Sequence, residues 1–367
     1  MLTNAMGIIL ADHHRVDLAE ITAARALAAV PFAGRFRIVD FMLSNMVNSG
    51  IKNVGVLALT RYKSLMDHLG TGAFWDLDRM QQGLTIIPPF VASSSGGPGE
   101  EDLTGLFEFL SAGREDYVVI SNGNLILNIK LEEIVEAHAD SKADMTILYN
   151  HDISNPRNNV SLFLDDGDVA DVLVGTPDPK TDVSSIGIMV ISRKLLVELV
   201  SEAMARGETG FSIETMLKKY PTYRIRAQEY PDLCLDIDSL ASFFSANLRM
   251  LEPEVRAHLF NQEDRPIYTK IKNEAPAFYE KGSFVSNSLV SDGCSVYGSV
   301  SNCILFRGVH VGRHANLHDC VIFQDSYIAE GADLSCVILD KRTTVSAGVK
   351  LQGATAYPVV IRKNARV

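Results

Sequence analysis

Toward its C-terminal end the chain repeats a four-residue unit at a nearly constant interval: Asn287-Ser288-Leu289-Val290, Asn302-Cys303-Ile304-Leu305, Asp319-Cys320-Val321-Ile322 and Ser335-Cys336-Val337-Ile338. Read from Leu289, the spacings are 15, 17 and 16 residues. Six-residue steps such as Val290 to Val296, Val311 to Leu317 and Ile328 to Leu334 lie between the units, and glycines punctuate them. A unit this short cannot enclose a core of its own, so successive turns must stack and share one. The pattern predicts a solenoid of three short strands per turn. Its interior would take Cys294, Cys303, Cys320 and Cys336 as a ladder of small residues. With five cysteines in all, and no CxxC or CxxxH spacing, neither a disulfide framework nor a zinc site is expected.

The chain begins differently. Residues 8–11 form a short apolar run typical of a buried strand, and residues 23–29 are rich in helix formers before Pro31 and Gly34 stop the pattern. Further strands are expected near 53–59, 117–120, 142–151 and 185–190, alternating with helices near 64–69, 103–111 and 240–250. A hairpin spans 161–173; its acidic Asp165-Asp166-Gly167-Asp168 reads as a turn, because the glutamate and spacing of a calcium loop are missing. The fold class is therefore α/β, with a mostly parallel sheet covered on both faces. The expected organisation is a domain over 1–251, a linker over 252–282 held extended by Pro253, Pro266 and Pro276, and the solenoid over 283–367.

In α/β domains that hold nucleotides, the loop after the first strand carries glycines, because only a backbone without Cβ brings several N–H groups close to phosphate. Here that loop reads Asp12-His13-His14-Arg15, without glycine, and the two histidines are read as exposed loop residues. The sequence that follows is more specific. Ala29-Val30-Pro31-Phe32, Gly34-Arg35-Phe36-Arg37-Ile38-Val39-Asp40-Phe41, Leu43-Ser44-Asn45 and Asn48-Ser49-Gly50-Ile51 resemble the bacterial ADP-glucose pyrophosphorylases, the glucose-1-phosphate adenylyltransferases. That resemblance implies a Rossmann-like nucleotidyltransferase domain followed by a left-handed parallel β-helix.

Against the family pattern the losses point one way. In the GGxGxR loop the glycines become Asp12, His13 and Arg15, the arginine becomes Asp17, and the lysine of RAKP becomes Leu27, while Thr22, Arg25 and Ala26 stay. The acidic run Glu100-Glu101-Asp102 stands after the loop where relatives carry GTADA. At SGDH, whose aspartate holds magnesium in the family, the chain reads Ser121-Asn122-Gly123-Asn124, and the place falls to Asn122, Gly123 or Asn124, none with a carboxylate. Leu173-Val174-Gly175-Thr176-Pro177 stands for FxEKP, so Gly175 and Thr176 replace the charges that hold the sugar phosphate. Phe211-Ser212-Ile213-Glu214 replaces a glycine-lysine-aspartate run. Asp236 keeps the place of the second metal-binding aspartate, but a single carboxylate favours reading it as a capping or turn residue before the helix that follows.

Nucleotidyl transfer depends on cations that neutralise charge as it develops. Losing them while keeping the scaffold resembles the non-catalytic D-type subunits of the family. That implies a modulatory partner of a catalytic homologue in glycogen synthesis, assembled as a hetero-tetramer and needing no cofactor of its own, the family's Mg2+ included. Two alternatives stay open: a weak enzyme making ADP-glucose from ATP and glucose 1-phosphate, and a homo-oligomeric sensor of phosphorylated sugars. Arg25 and Arg37 match a segment that lines an effector-phosphate site in the family; they would either bind that phosphate or pair with carboxylates such as Asp40. A net charge of −11 spread along 367 residues argues against a nucleic-acid surface. No apolar run reaches the roughly 20 residues of a membrane span. The first strand starts almost at the N-terminus, and a cytoplasmic location is the expectation.

Overall fold

The computed structural model describes residues 4–12, 18–58, 61–79, 82–88, 103–151, 160–175 and 180–367. Its first part is built on a nine-stranded sheet: β1 (Ala5–Leu10), β2 (Val54–Leu57), β3 (Leu84–Ile87), β4 (Tyr117–Asn122), β5 (Met145–Asn150), β6 (Val160–Asp165), β7 (Asp168–Val174), β8 (Ser184–Ser192) and β9 (Ile225–Glu229). In space the order is β3-β2-β1-β4-β8-β5-β9-β7-β6. The pairings β3–β2, β2–β1, β1–β4 and β5–β9 are parallel. Those that β8 makes with β4 and β5, and β7 with β9 and β6, are antiparallel. Only β7 and β8 therefore run against the rest, so the sheet is mostly parallel in direction yet mixed in its pairings.

Both faces are covered, for a reason visible residue by residue. Ile9, Val119, Ile188 and Val190 point into one core with Val39, Met42 and Met46 of α1 (Ile38–Asn48) and Ile134 of α4 (Leu131–Ser141). Their neighbours Ile8, Ile120, Met189 and Ile191 point into the other, with Leu106 of α3 (Thr104–Ala112) and Leu196 and Leu199 of α5 (Arg193–Ala205). The period of two in a strand delivers successive side chains to opposite faces. The expected hairpin forms as β6–β7 around Asp166 and Gly167, both at positive φ. The expected helix over 23–29 does not form. That segment makes only tight turns, one of them the short 3-10 helix Leu27–Ala29, because its side chains are buried on more than one side and the N–H groups of Ala26 and Ala28 go to Arg61 and Ala11 carbonyls.

The motif that carries the family resemblance is structural. Asp40, at the start of α1, accepts from the Arg37 amide at 2.9 Å and meets His68 Nε2 at 2.6 Å. Ser44 accepts from the Tyr268 amide at 2.9 Å, while Asn45 bridges the Leu127 carbonyl and the Ile129 amide at 3.0 and 3.2 Å. The bonds of Asp40 to His68, Ser44 to Tyr268 and Asn45 to residues 127 and 129 join separate segments, where loss of either partner leaves an unmet donor or acceptor.

The expected linker is shorter than 252–282. Pro253 opens α8 (Pro253–Phe260), where a first-turn proline is well tolerated, and Val255 and Leu259 bury the helix. Phe278–Tyr279 already pairs with the solenoid. The solenoid's parallel strands stack in columns; one runs Leu289, Ile304, Val321, Ile338, Val360. Ile338, not Val337, therefore faces Val321, and the true spacing there is 17 residues. The cysteine ladder is correspondingly shorter: Cys303 and Cys320 stack, with the Cys320 amide 3.3 Å from Cys303 Sγ, and Val337 takes the next rung. Cys336 falls on a corner column with Asn287, Asn302 and Asp319, all four at positive φ.

The repeated unit was conspicuous because this strand column is buried on both faces. Leu305, Ile322 and Leu339 fill the solenoid interior. Ile304, Phe306, Val321 and Phe323 face outward, onto Phe243 and Phe244 of α7 (Leu240–Arg249), Leu259 of α8, and Leu18, Leu27, Phe32 and Phe41. The two parts thus share a single apolar junction.

Candidate functional site

Ligands in open α/β sheets bind beyond the carboxyl ends of the strands. Here that end carries Asp12 after β1 and the turn after β4. Gly123 donates to the Leu10 carbonyl at 2.8 Å, so close that an added Cβ would lie 2.5 Å from the same oxygen. The turn brings Asn124, buried, against Asp236, exposed on the short strand Leu235–Asp236 that pairs with Leu125–Ile126. Asn124 Nδ2 donates to Asp236 Oδ1 and, at 3.2 Å, to the Ile237 carbonyl. Of the three residues open at this place, Asn124 is thus the one that faces Asp236. Asn122 packs against Gly187, where a Cβ would lie 2.4 Å from its amide nitrogen.

The facing pair Asn124 and Asp236 offers a magnesium ion one anionic group, where a hard cation asks for several anionic oxygens. Glu214, Ser185 and Gly187 line the same pocket, whose free volume among the described residues is about 20 Å³, enough for a water molecule. No group of three or more metal-ligating side chains occurs among the described residues. Asp236 is not the helix cap expected from the sequence: Ser239 caps α7, its side chain accepting from the Ser242 amide at 3.1 Å. Leu27 is buried in the junction core, Ile213 in the core beneath β8, and Gly175 ends β7 at positive φ. Asp12 is half-buried at the end of β1. His13, His14, Arg15, Asp17, Glu100, Glu101, Asp102 and Thr176 lie outside the described residues. A separate cavity of about 740 Å³ opens at the other end of the sheet, against Asn53, Leu77, Gly83 and Phe109.

The second cluster lies at the junction. Arg25 Nη2 donates to both oxygens of Asp340, at 2.9 and 3.0 Å, with both residues buried. Its Nη1 is buried without a partner. Arg37 Nη1 donates to the Ser64 carbonyl at 2.6 Å and Oγ at 3.0 Å. Of the expected pairing with carboxylates such as Asp40, Arg25 makes one, with Asp340 of the solenoid, while the Arg37 side chain goes to Ser64 and Asp40 is taken by the Arg37 backbone and His68. Burial lowers Arg37 to about 10, opposed by Asp40 and reinforced by Arg25. Lys341, beside Asp340, is pushed down to about 7, first by burial and then by Arg37 and Arg25. One coil away on the same corner, Gln324 keeps a buried Oε1 without a partner. Arg25, Arg37 and Lys341 thus gather positive charge around one buried carboxylate, Asp340.

Asp340, Lys341 and Gln324 escaped the sequence reading. A signal was present: the column containing Phe306 and Phe323 continues with Asp340, a carboxylate where two coils carry aromatic rings.

Residues 6–251 match the family described as nucleotidyl transferase, and residues 276–355 the one described as GlmU-like, C-terminal hexapeptide. The chain is similar to the glycogen biosynthesis protein GlgD of Bacillus subtilis (strain 168), at 35% identity over 368 residues, covering 99% of this chain and 97% of that protein. It is similar to the glucose-1-phosphate adenylyltransferase of Thermotoga sp. (strain RQ2) at 30% identity, covering 84% of this chain and 75% of that protein. The enzyme of the same name from Mycoplasma mobile (strain ATCC 43663 / 163K / NCTC 11711) is 29% identical, with 86% and 84% covered.

Proposed function

The chain belongs to the nucleotidyl transferase family, among the glucose-1-phosphate adenylyltransferases and GlgD, and from that premise we propose that it is a modulatory subunit of ADP-glucose synthesis. On this reading it has little or no activity alone and joins a catalytic homologue in a hetero-tetramer, in the cytoplasm, with its solenoid coiled left-handed. One observation carries the reading: Asn124 donates an amide to Asp236 where transfer chemistry would ask for two carboxylates on a metal. Asp236 already accepts a hydrogen bond from within the chain at this place.

The cations retained at the junction give the same reading a regulatory side. Arg25, Arg37 and Lys341 would hold the phosphate of a phosphorylated sugar, with Gln324 accepting from a hydroxyl. Because Arg25 and Asp340 tie the domain to the solenoid, an anion there would bias how the two parts sit.

The test is ADP-glucose formation by the purified chain, alone and mixed with a catalytic adenylyltransferase of the family. Background turnover alone, and a mixture whose turnover or effector response differs from the catalytic chain's, is the expected result. Robust turnover by this chain alone would end the proposal.

A further inference from the structure

The cavity of about 740 Å³ lies beyond the amino ends of β2, β3 and β4, at the opposite end of the sheet from Asn124 and Asp236. Its volume is within the roughly 300–1,000 Å³ usual for small-molecule sites. The backbone builds its floor. Leu77 is pinned twice, its amide donating to the Gly72 carbonyl at 3.1 Å and its carbonyl accepting from the Leu84 amide at 3.0 Å. Gly83, at φ +130°, passes so close that a Cβ would lie 2.5 Å from the same Leu77 carbonyl, and its own carbonyl accepts from the Val54 amide at 2.9 Å. The chain before β3 is thus folded back against the start of that edge strand. Phe109 of α3 forms the facing wall, its ring resting on Gly55, where a Cβ would lie 2.8 Å from Cε1.

Polar groups stand around this apolar floor in fixed positions. Asn53 is 8% exposed, and its amide nitrogen donates to Glu115 Oε1 at 3.1 Å. Glu115 is buried in turn and takes the Arg114 amide at 2.8 Å. That bond decides which way the Asn53 amide faces, and its carbonyl oxygen has no hydrogen bond among the described residues. Arg79 is held at the rim by Asp76, through Nε to the carbonyl at 2.9 Å and through Nη2 to the carboxylate. Thr71, Asp78, Gln82 and Thr85 make no side-chain hydrogen bond among the described residues. Asp78 and Arg79 are the charged groups of the lining, one of each sign, so the cavity offers donors and acceptors without a net charge.

We propose that this cavity binds a neutral sugar, a short chain of glucose-like pyranose rings. Each ring hydroxyl both donates and accepts, so a row of them meets the Asn53 and Asp78 oxygens and the Arg79 and Gln82 N–H groups together. A pyranose whose hydroxyls are equatorial has apolar C–H faces, which match Phe109 on one side and Leu77 with Leu84 on the other. A phosphate ester fits worse: the one guanidinium is already shared with Asp76, and the Asp78 carboxylate stands beside it. A peptide added to the edge of β3 would be held by backbone hydrogen bonds and would not call on these side chains. The inference concerns binding alone and does not rest on the modulatory reading.

The chain has one tryptophan, Trp75, buried in the segment between Gly72 and Leu77, and it serves as the reporter. The experiment is titration of the full chain with maltotriose, read by Trp75 fluorescence and by saturation-transfer NMR, which marks the sugar protons that touch the protein. The expected result is saturable binding with a dissociation constant in the millimolar range or below. Asp78→Ala raises that constant at least about tenfold, as for loss of a hydrogen bond to a charged group, and Thr85→Arg, which fills the cavity, abolishes binding. Both positions are exposed, so the variants keep their fold, which an unchanged melting temperature verifies. Glucose displaces maltotriose, and glucose 1-phosphate displaces it less well than glucose does. No saturable binding, binding indifferent to both variants, or displacement by glucose 1-phosphate better than by glucose each overturns the proposal. Because no activity is read, failure here leaves the modulatory reading standing, and failure of that reading leaves this one.

Discussion

Two carboxylates, Asp236 and Asp340, each meet a nitrogen from a distant part of the chain, and they have opposite surroundings. Asp236 is exposed, beyond the carboxyl end of the sheet, and its partner is the neutral amide of Asn124. Asp340 is buried at the junction and takes two bonds from the guanidinium of Arg25, with Arg37 and Lys341 close by. The first region has shed cations and the second has gathered them. On the proposed modulatory function, the contrast is that of a chain without transfer chemistry that keeps a charged contact between its two parts.

If that contrast is real, the two carboxylates should differ sharply in what they hold together. Asp340→Ala leaves Arg25 buried and unpaired beside two further cations, and a loss of about 3–5 kcal/mol is expected in urea unfolding. Asp236→Ala removes an exposed acceptor and should cost no more than about 1.5 kcal/mol. Equal losses would dissolve the distinction. Replacing Arg25 and Asp340 together with Met and Leu should recover most of the stability, because the penalty lies in the stranded charge.

The sequence displayed the first region better than the second, and for a physical reason. Local patterns announce themselves: the period of two in β1, β4 and β8, the solenoid unit, and the absent loop glycines are all properties of neighbouring residues. The identity of Asn124 as the residue facing Asp236 depended on Gly123 folding back onto Leu10, a contact between two strands. Arg25 and Asp340 are farther apart still, and their pairing depends on how α7, α8 and the solenoid face close over residues 18–41. Of the capping or turn role expected for Asp236, the capping part falls to Ser239, because sequence does not tell a cap from the strand that precedes it. The solenoid register slipped by one at Cys336 because a left-handed corner residue and an interior residue look alike when both are cysteine.

A smaller effect tests the first region from within. Asn124→Asp restores the carboxylate pair of the family but sets two anions where an amide now donates. We expect a loss of about 1.5–3 kcal/mol, the worth of a hydrogen bond to a charged group. Two facing carboxylates raise the pKa of one of them, so the variant should regain stability as pH falls, or when Mg2+ is added. A melting temperature that ignores both pH and Mg2+ would mean that the two side chains are not facing each other. Turnover should not return, since the lysine that the family resemblance implies at Leu27 is still missing.

The mildest test addresses the second region through Lys341, whose pKa is lowered to about 7 in the folded protein by burial and by Arg37 and Arg25. A lysine with a lowered folded pKa binds fewer protons folded than unfolded between that value and its ordinary one. Stability therefore rises with pH from about 7 to about 10.5 and is flat on either side. An anion at the junction favours the charged lysine and reverses the preference. Sulfate, whose own charge is constant over this range, should bind best near pH 6 and weaken above pH 7 by up to about tenfold per unit. In Lys341→Met, binding should be weaker and nearly independent of pH, and the rise in stability should vanish with it. If the variant kept the slope of the unaltered chain, the titrating group would lie elsewhere, and the crowding of cations at the junction would reduce to a structural feature no different in kind from the amide pair at the sheet's end.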